Sequence, residues 1–263
     1  MASGNNIRYA AVYGSFYPGE KQELNSFLEN FFTKANNIAG KKNIKALIVP
    51  HAGFIYSGQT ATWGYRQLPI KKGLHFVLVG PSHHFPFSGL AASSADYWQT
   101  PLGKVKQTLE KTANDQVIYD NQIHHPEHCL EVQLPFLQYL YRDDFSVSCF
   151  LTGQYLDSKY CASFLLENFP KSIFVISSDL SHYLPQEETE IKDKKTIENI
   201  LELNQDYLLS EENSACGAVG ITILLSLAKI NHWKGKLIHY DTSATNSKDK
   251  SAVVGYASIA FYE

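Results

Sequence analysis

Three times in this chain a short, uninterrupted apolar run leads straight into side chains that bind metals. Residues 46–49 run into Pro50-His51, residues 76–79 into Gly80-Pro-Ser-His83-His84, and residues 173–176 into Ser177-Ser-Asp179-Leu-Ser-His182. Apolar runs of this length without polar alternation read as strands covered on both faces, as in a parallel sheet. Pro50 has no N–H for a ladder, so the first strand should stop there. Each side chain of interest then stands just past a strand's carboxyl end, where open α/β sheets bind ligands. A single histidine at such a place is ordinarily structural. Three such positions on one edge point to a site.

The segments between these strands carry helical periodicity. Residues 20–36 place Leu24, Phe27, Leu28, Phe31 and Phe32 on one face. Residues 57–68 read as a helix leaving the His51 loop, and Leu130, Leu134, Leu137 and Tyr141 share a face of another, which Pro135 should kink or start late. Further helices are expected over 157–169, 187–209 and 215–230, the last capped by Asn213-Ser214. Residues 145–151 read as a strand, and 236–240 with 252–262 as a closing pair. Residues 100–103 form a turn signal, 104–121 are expected to be helical in part, and 1–6 to be a disordered tail. Strands alternating with helices predict an α/β fold, one domain over 1–263 with a central, largely parallel or mixed sheet flanked by helices. With 263 residues the chain can bury a sizeable core.

Composition narrows the partners. A formal charge of -3 and a pI near 6.4 give no reason to expect nucleic acid or an anionic membrane surface. No run reaches membrane-spanning length and no segment reads as a signal peptide, so a soluble cytoplasmic protein is expected. Cys129, Cys149, Cys161 and Cys216 are scattered without CxxC spacing and should be reduced thiols.

The strand ends can bring His51, His83 and the Asp179/His182 pair together. Asp179 and His182 are three apart, so one helical turn would put both on one side. Cys216 falls at a predicted helix N-terminus, where exposed amides should lower its thiol pKa. Imidazole and thiolate suit zinc, copper and iron, whereas magnesium and calcium want oxygen. His84 is expected to turn away, and His124 and His125 to lie on a surface loop. His128 and Glu131 have two readings: partners standing behind the ligands, or a helix start with acid in its first turn. Cys129, Cys149 and Cys161 read as small core hydrophobes.

Taken together, Pro50-His-Ala-Gly53 with Tyr56-Ser-Gly58, Gly80-Pro-Ser-His-His84, Ser177-Ser-Asp-Leu-Ser-His182 and Cys216-Gly217 resemble the Memo family. Gly14-Ser-Phe-Tyr-Pro18, Glu127-His-Cys-Leu-Glu131 and Val253-Val-Gly-Tyr256 match in the same order, over nearly the whole chain. The resemblance implies a fold similar to class III non-haem iron extradiol dioxygenases. It also implies His51 and His83 as imidazole ligands, Cys216 in the place of a carboxylate, and His182 as acid/base with Asp179 beside it. A thiolate for a carboxylate softens the site toward copper as well as iron, so ring cleavage does not transfer. Prokaryotic members accompany a radical-SAM protein, and eukaryotic Memo is associated with motility signalling, phosphotyrosine-peptide binding and metal-linked redox chemistry.

Three functions follow. One is a metal-dependent redox enzyme using iron or copper at His51, His83 and Cys216, with an unknown small molecule or peptide as substrate. Another is a non-catalytic pocket that captures a peptide or small anion between Phe16, Phe54 and Tyr56. The third is a zinc hydrolase in which Asp179 or His182 activates water.

Overall fold

The computed structural model describes residues 6–40, 42–109 and 117–263. In chain order these form β1 (Ile7–Arg8), α1 (Lys21–Lys34), β2 (Ile44–Val49), α2 (Gln59–Tyr65), β3 (Leu74–Pro81), β4 (Leu90–Ala92), β5 (Tyr97–Thr100) and β6 (Gly103–Gln107). There follow β7 (Val117–Tyr119), α3 (Asn121–His124), α4 (Leu134–Tyr141), β8 (Phe145–Thr152), α5 (Ser158–Asn168), β9 (Ile173–Ser177) and β10 (His182–Leu184). The chain closes with α6 (Gln186–Leu201), α7 (Gln205–Ser210), α8 (Ala218–Asn231), β11 (Lys234–Thr242), α9 (Ala244–Ser247) and β12 (Val253–Tyr262).

One mixed sheet runs β1-β5-β6-β8-β3-β9-β2-β12-β10, with β11 beside β12 and β4 joining β7 to β8. Its centre is parallel: β8, β3, β9 and β2 lie side by side in one direction, and β12 returns antiparallel to β2. The continuous apolar runs are explained by burial on both faces. In β2, Leu47 and Val49 join the core on one side, while Ala46 and Ile48 join the core on the other. β3 and β9 divide the same way, Leu78 and Val175 to the first core and Val79 and Ile176 to the second. Because β2, β9 and β3 are neighbours in parallel register, their carboxyl ends share one edge, as the sequence pattern requires.

Several local expectations need correcting. β2 ends before Pro50, but the helix after it opens with a π-turn over Phe54–Gly58, so α2 itself starts at Gln59. Pro135 takes the second of its two expected roles, a late start at the first positions of α4, where its missing N–H costs nothing. The predicted helix 187–209 breaks into α6 and α7, with Leu203 at φ 59 and Asn204 capping the second. Part of 104–121 expected as helix lies outside the described residues. Its described flanks are β6 and β7, where Val105, Val117 and Ile118 favour extended backbone. Residues 1–5 of the expected tail likewise lie outside them, but Asn6 is anchored: its N–H donates to Asp96 Oδ2 at 2.7 Å and its carbonyl accepts the Asp96 N–H. Among the described residues no helix is long and apolar enough to cross a membrane.

Candidate metal centre at the carboxyl edge of the sheet

His51 follows Pro50 at the end of β2 and is buried. Its N–H donates to Asp179 Oδ1 at 2.8 Å, which ties the end of β2 to the loop after β9. Its Nδ1 lies 2.9 Å from Ser177 Oγ. The proton on that bond can be assigned. Ser177 donates its one hydroxyl hydrogen to the Cys129 carbonyl at 2.6 Å and accepts from Gln133 Nε2 at 2.8 Å. Gln133 cannot be flipped, since its Nε2 also donates to the Pro50 carbonyl and its Oε1 accepts the Tyr65 hydroxyl. With the serine hydrogen committed, His51 Nδ1–H must be the donor. Nε2 therefore carries the lone pair, and it lies 3.3 Å from Cys216 Sγ. Burial lowers the His51 pKa to about 4 against the opposing pull of Asp179, so the imidazole is neutral at neutral pH. A neutral imidazole with one nitrogen held as donor is a metal ligand in waiting.

His83 is oriented by another route. Glu127 Oε2 accepts its backbone N–H at 2.7 Å, and Oε1 lies 2.9 Å from its Nδ1. Burial alone would push the Glu127 pKa up, but hydrogen bonds from His128 and His83 outweigh it and hold the carboxyl well below the usual range. An ionised carboxylate only accepts, so His83 Nδ1 is the donor in that contact and the ring is held through it. The His51 and His83 rings meet edge to face at 5.3 Å between centroids. Ligand atoms of His51, His83 and Cys216 all lie within 4.8 Å of one another.

Cys216 arrives from the opposite side, two residues before α8. Its N–H donates to the Asp179 carbonyl at 3.2 Å, and the Asp179 N–H points at Sγ from 3.3 Å. This close approach depends on Gly217: a Cβ there would fall 2.9 Å from the Ser177 carbonyl oxygen and 2.7 Å from Ser178 Cβ. The expected fall in the thiol pKa is not found. Burial and the Asp179 carboxylate push it up, and donated bonds from Asp179, Ser178 and Gly217 only partly offset them. Cys216 stands before the first turn of α8 rather than inside it, next to a buried carboxylate instead of bare amides. A bound cation would have to displace the thiol proton. Cys129, Cys149 and Cys161 are buried core residues, as expected, and all four cysteines are free.

Other expected participants are placed differently. Asp179 and His182 do not share a helical turn, because β10 begins at His182. Asp179 is buried beside His51 and Cys216, whereas the His182 ring lies 5.7 Å from Tyr183 and its backbone is clamped by Asn213. Among the described residues no hydrogen bond or ring contact joins His182 to the imidazole–thiol cluster. Phe54 is no pocket wall: at 2% exposure it sits in the core between Tyr17 and Phe136, on the inner side of its π-turn. Tyr56 is exposed, and Phe16 packs on His128 at 4.7 Å. His128 stands behind the ligands, stacked on His83 at 4.7 Å. Glu131 does not; it faces away into an ion pair with Arg8 and a 2.6 Å bond from Tyr17. His124, expected on the surface, is fully buried against Trp98, with Nε2 on the Ala91 carbonyl.

Glu127, Ser177 and Gln133 are the functional residues that sequence reasoning passed over. Glu127 and Ser177 stood in visible motifs, but nothing in the spacing says that Glu127 rather than Glu131 turns toward the histidines. Outside the cluster opens a cleft of about 390 Å³, between the 82–86 loop, Gly153-Gln154 and Cys216.

Residues 8–260 match the family described as Memo-like protein. A MEMO1 family protein of Thermoplasma acidophilum is 35% identical over 96% of this chain and 97% of its own length. Another from Aquifex aeolicus is 34% identical over 97% and 99%. A solved but uncharacterized Escherichia coli protein aligns at 13% identity and TM-score 0.47, over 82% of this chain and 99% of that one. Matched from end to end by family and relatives alike, the chain belongs to the Memo-like protein family.

Proposed function

We propose that this protein is a metal-dependent oxidoreductase whose iron or copper is held by His51, His83 and Cys216. The observation that carries the reading is that His51, His83 and Cys216 bring donor atoms within 4.8 Å of one another, with each imidazole held by a hydrogen bond at Nδ1. Two imidazoles and a thiolate form a soft donor set with positions left open, which suits copper or iron over magnesium or calcium. Such a metal supplies one-electron chemistry and an anchoring point for substrate.

The chain's own residues set the conditions. Ser177 and Gln133 keep His51 in one tautomer, and Glu127 does the same for His83. Asp179, against both His51 and Cys216, is the nearest carboxylate for a proton leaving the thiol. His182 is assigned the acid/base role on family resemblance. The cleft beside the 82–86 loop admits a small molecule or the end of a peptide.

Metal analysis of tag-free protein prepared without oxygen, followed by oxygen-uptake measurements, tests the reading. At least one iron or copper per chain is expected, with oxygen uptake that disappears in Cys216→Ser. Zinc at the same stoichiometry without oxygen uptake would favour hydrolysis, and failure to take up any of the three metals would leave a non-catalytic pocket.

A further inference from the structure

We propose that a second cation site stands beside the first, built from His84, Glu127 and His128 and containing no sulfur. The donor atoms of these three residues also lie within 4.8 Å of one another. His84 leaves the end of β3 one residue after His83 and is exposed, so it approaches Glu127 from the solvent side. Glu127 is buried, and the 3.0 Å contact from His128 Nδ1 to its Oε1 fixes the His128 ring against it. His128 is fixed between two rings, stacked on His83 at 4.7 Å and leaning on Phe16 at 4.7 Å. Two of the three donors are thus held in place before any cation arrives, and the exposed third can close over it.

The chemistry differs from that of the thiol centre. Two imidazoles and one carboxylate, with open positions, are the donor set of non-haem iron(II) sites and accept other divalent first-row cations. Without sulfur the set has no preference for copper(I). The two sites would therefore sort metals by softness. They are also coupled, because Glu127 accepts the Nδ1–H of His83 while offering oxygen to the second cation. A cation there draws on the carboxylate that supports His83, so filling one site should weaken the other. The inference goes beyond the proposed oxidoreductase reading: it shares Glu127 with that centre but needs neither the thiol nor His51.

Cobalt(II) chloride titrated into metal-free, tag-free protein under anaerobic conditions distinguishes the two sites. Wild type should take two equivalents, only one of which brings thiolate-to-cobalt charge-transfer absorption. His84→Ala should take one, with that absorption intact, and Cys216→Ser should take one without it. His84 is exposed, so alanine there leaves the fold unstressed; His84→Gln is the second variant and should also lose one equivalent. Wild type saturating at one equivalent, or His84 variants still taking two, would overturn the second site. Two equivalents with no charge-transfer band would instead sink the thiolate centre and leave the second site standing.

Discussion

Glu131 receives hydrogen bonds from Arg8, from the Tyr17 hydroxyl and from the N–H groups of Ala11 and Val12, whereas Glu127, four residues earlier, receives its own from His83 and His128. Both carboxylates are buried. The partners of Glu131 are permanent donors that cannot do other work, so its cluster is closed and serves to pin the N-terminal segment against the 124–131 stretch. Arg8 extends the same lock by donating to the carbonyls of His124, His125 and Glu127. The partners of Glu127 are imidazoles, each of which keeps a second nitrogen. A carboxylate that orients such rings makes ligands, and one paired with guanidinium makes structure.

Removing the charge at Glu131 should be the most damaging change. Glu131→Gln leaves Arg8 buried without its counter-ion, which costs about 3–5 kcal/mol. Thermal or urea unfolding should show that loss, while metal affinity in the protein that remains folded stays near wild type. A variant of wild-type stability, or one whose metal affinity falls in step, would erase the distinction between the clusters.

Acid acts on both clusters. His51 and His124 each have a pKa lowered to about 4 from the ordinary 6.5, by burial above all. Between those values the unfolded chain binds more protons than the folded one, so stability of the metal-free protein falls as pH drops from about 6.5 to 4, by as much as ~3 kcal/mol per histidine. Urea midpoints measured across that range should decline steadily. A flat profile would mean that neither ring is buried neutral.

The gentler change is at Glu127. Glu127→Gln keeps the shape but loses the ionised acceptor for the His83 Nδ1–H, and metal affinity should drop roughly 10–100-fold. The stability loss should be smaller than for Glu131→Gln, since no buried cation is stranded. Isothermal titration beside urea unfolding reads both quantities. Reversed ranks would show that Glu127 is the structural carboxylate.

How much of this was readable from the residues depends on the kind of interaction. The parallel centre and its shared edge were, because burial on both faces writes itself as unbroken apolar runs at 46–49, 76–79 and 173–176. The meeting of His51, His83 and Cys216 in space was, because two stand at those strand ends and the third belongs to a recognisable pattern. The state of Cys216 was not, since it depends on whether the neighbour in space is a bare helix end or Asp179. The choice between Glu127 and Glu131 was hidden for the same reason. Both are acids in one stretch, and Arg8, which claims Glu131, lies more than a hundred residues away. His124 read as surface because its burial comes from Trp98 and Ala91, contacts across the sheet that no local period announces.

The central claim is that two imidazoles and the Cys216 thiolate bind one metal ion, and X-ray absorption on protein loaded with a single equivalent of copper(I) tests it most directly. The account predicts one sulfur and two imidazole scatterers around the metal in wild type, with the sulfur absent in Cys216→Ser. A wild-type spectrum fitted by nitrogen and oxygen alone, unchanged by Cys216→Ser, would contradict it.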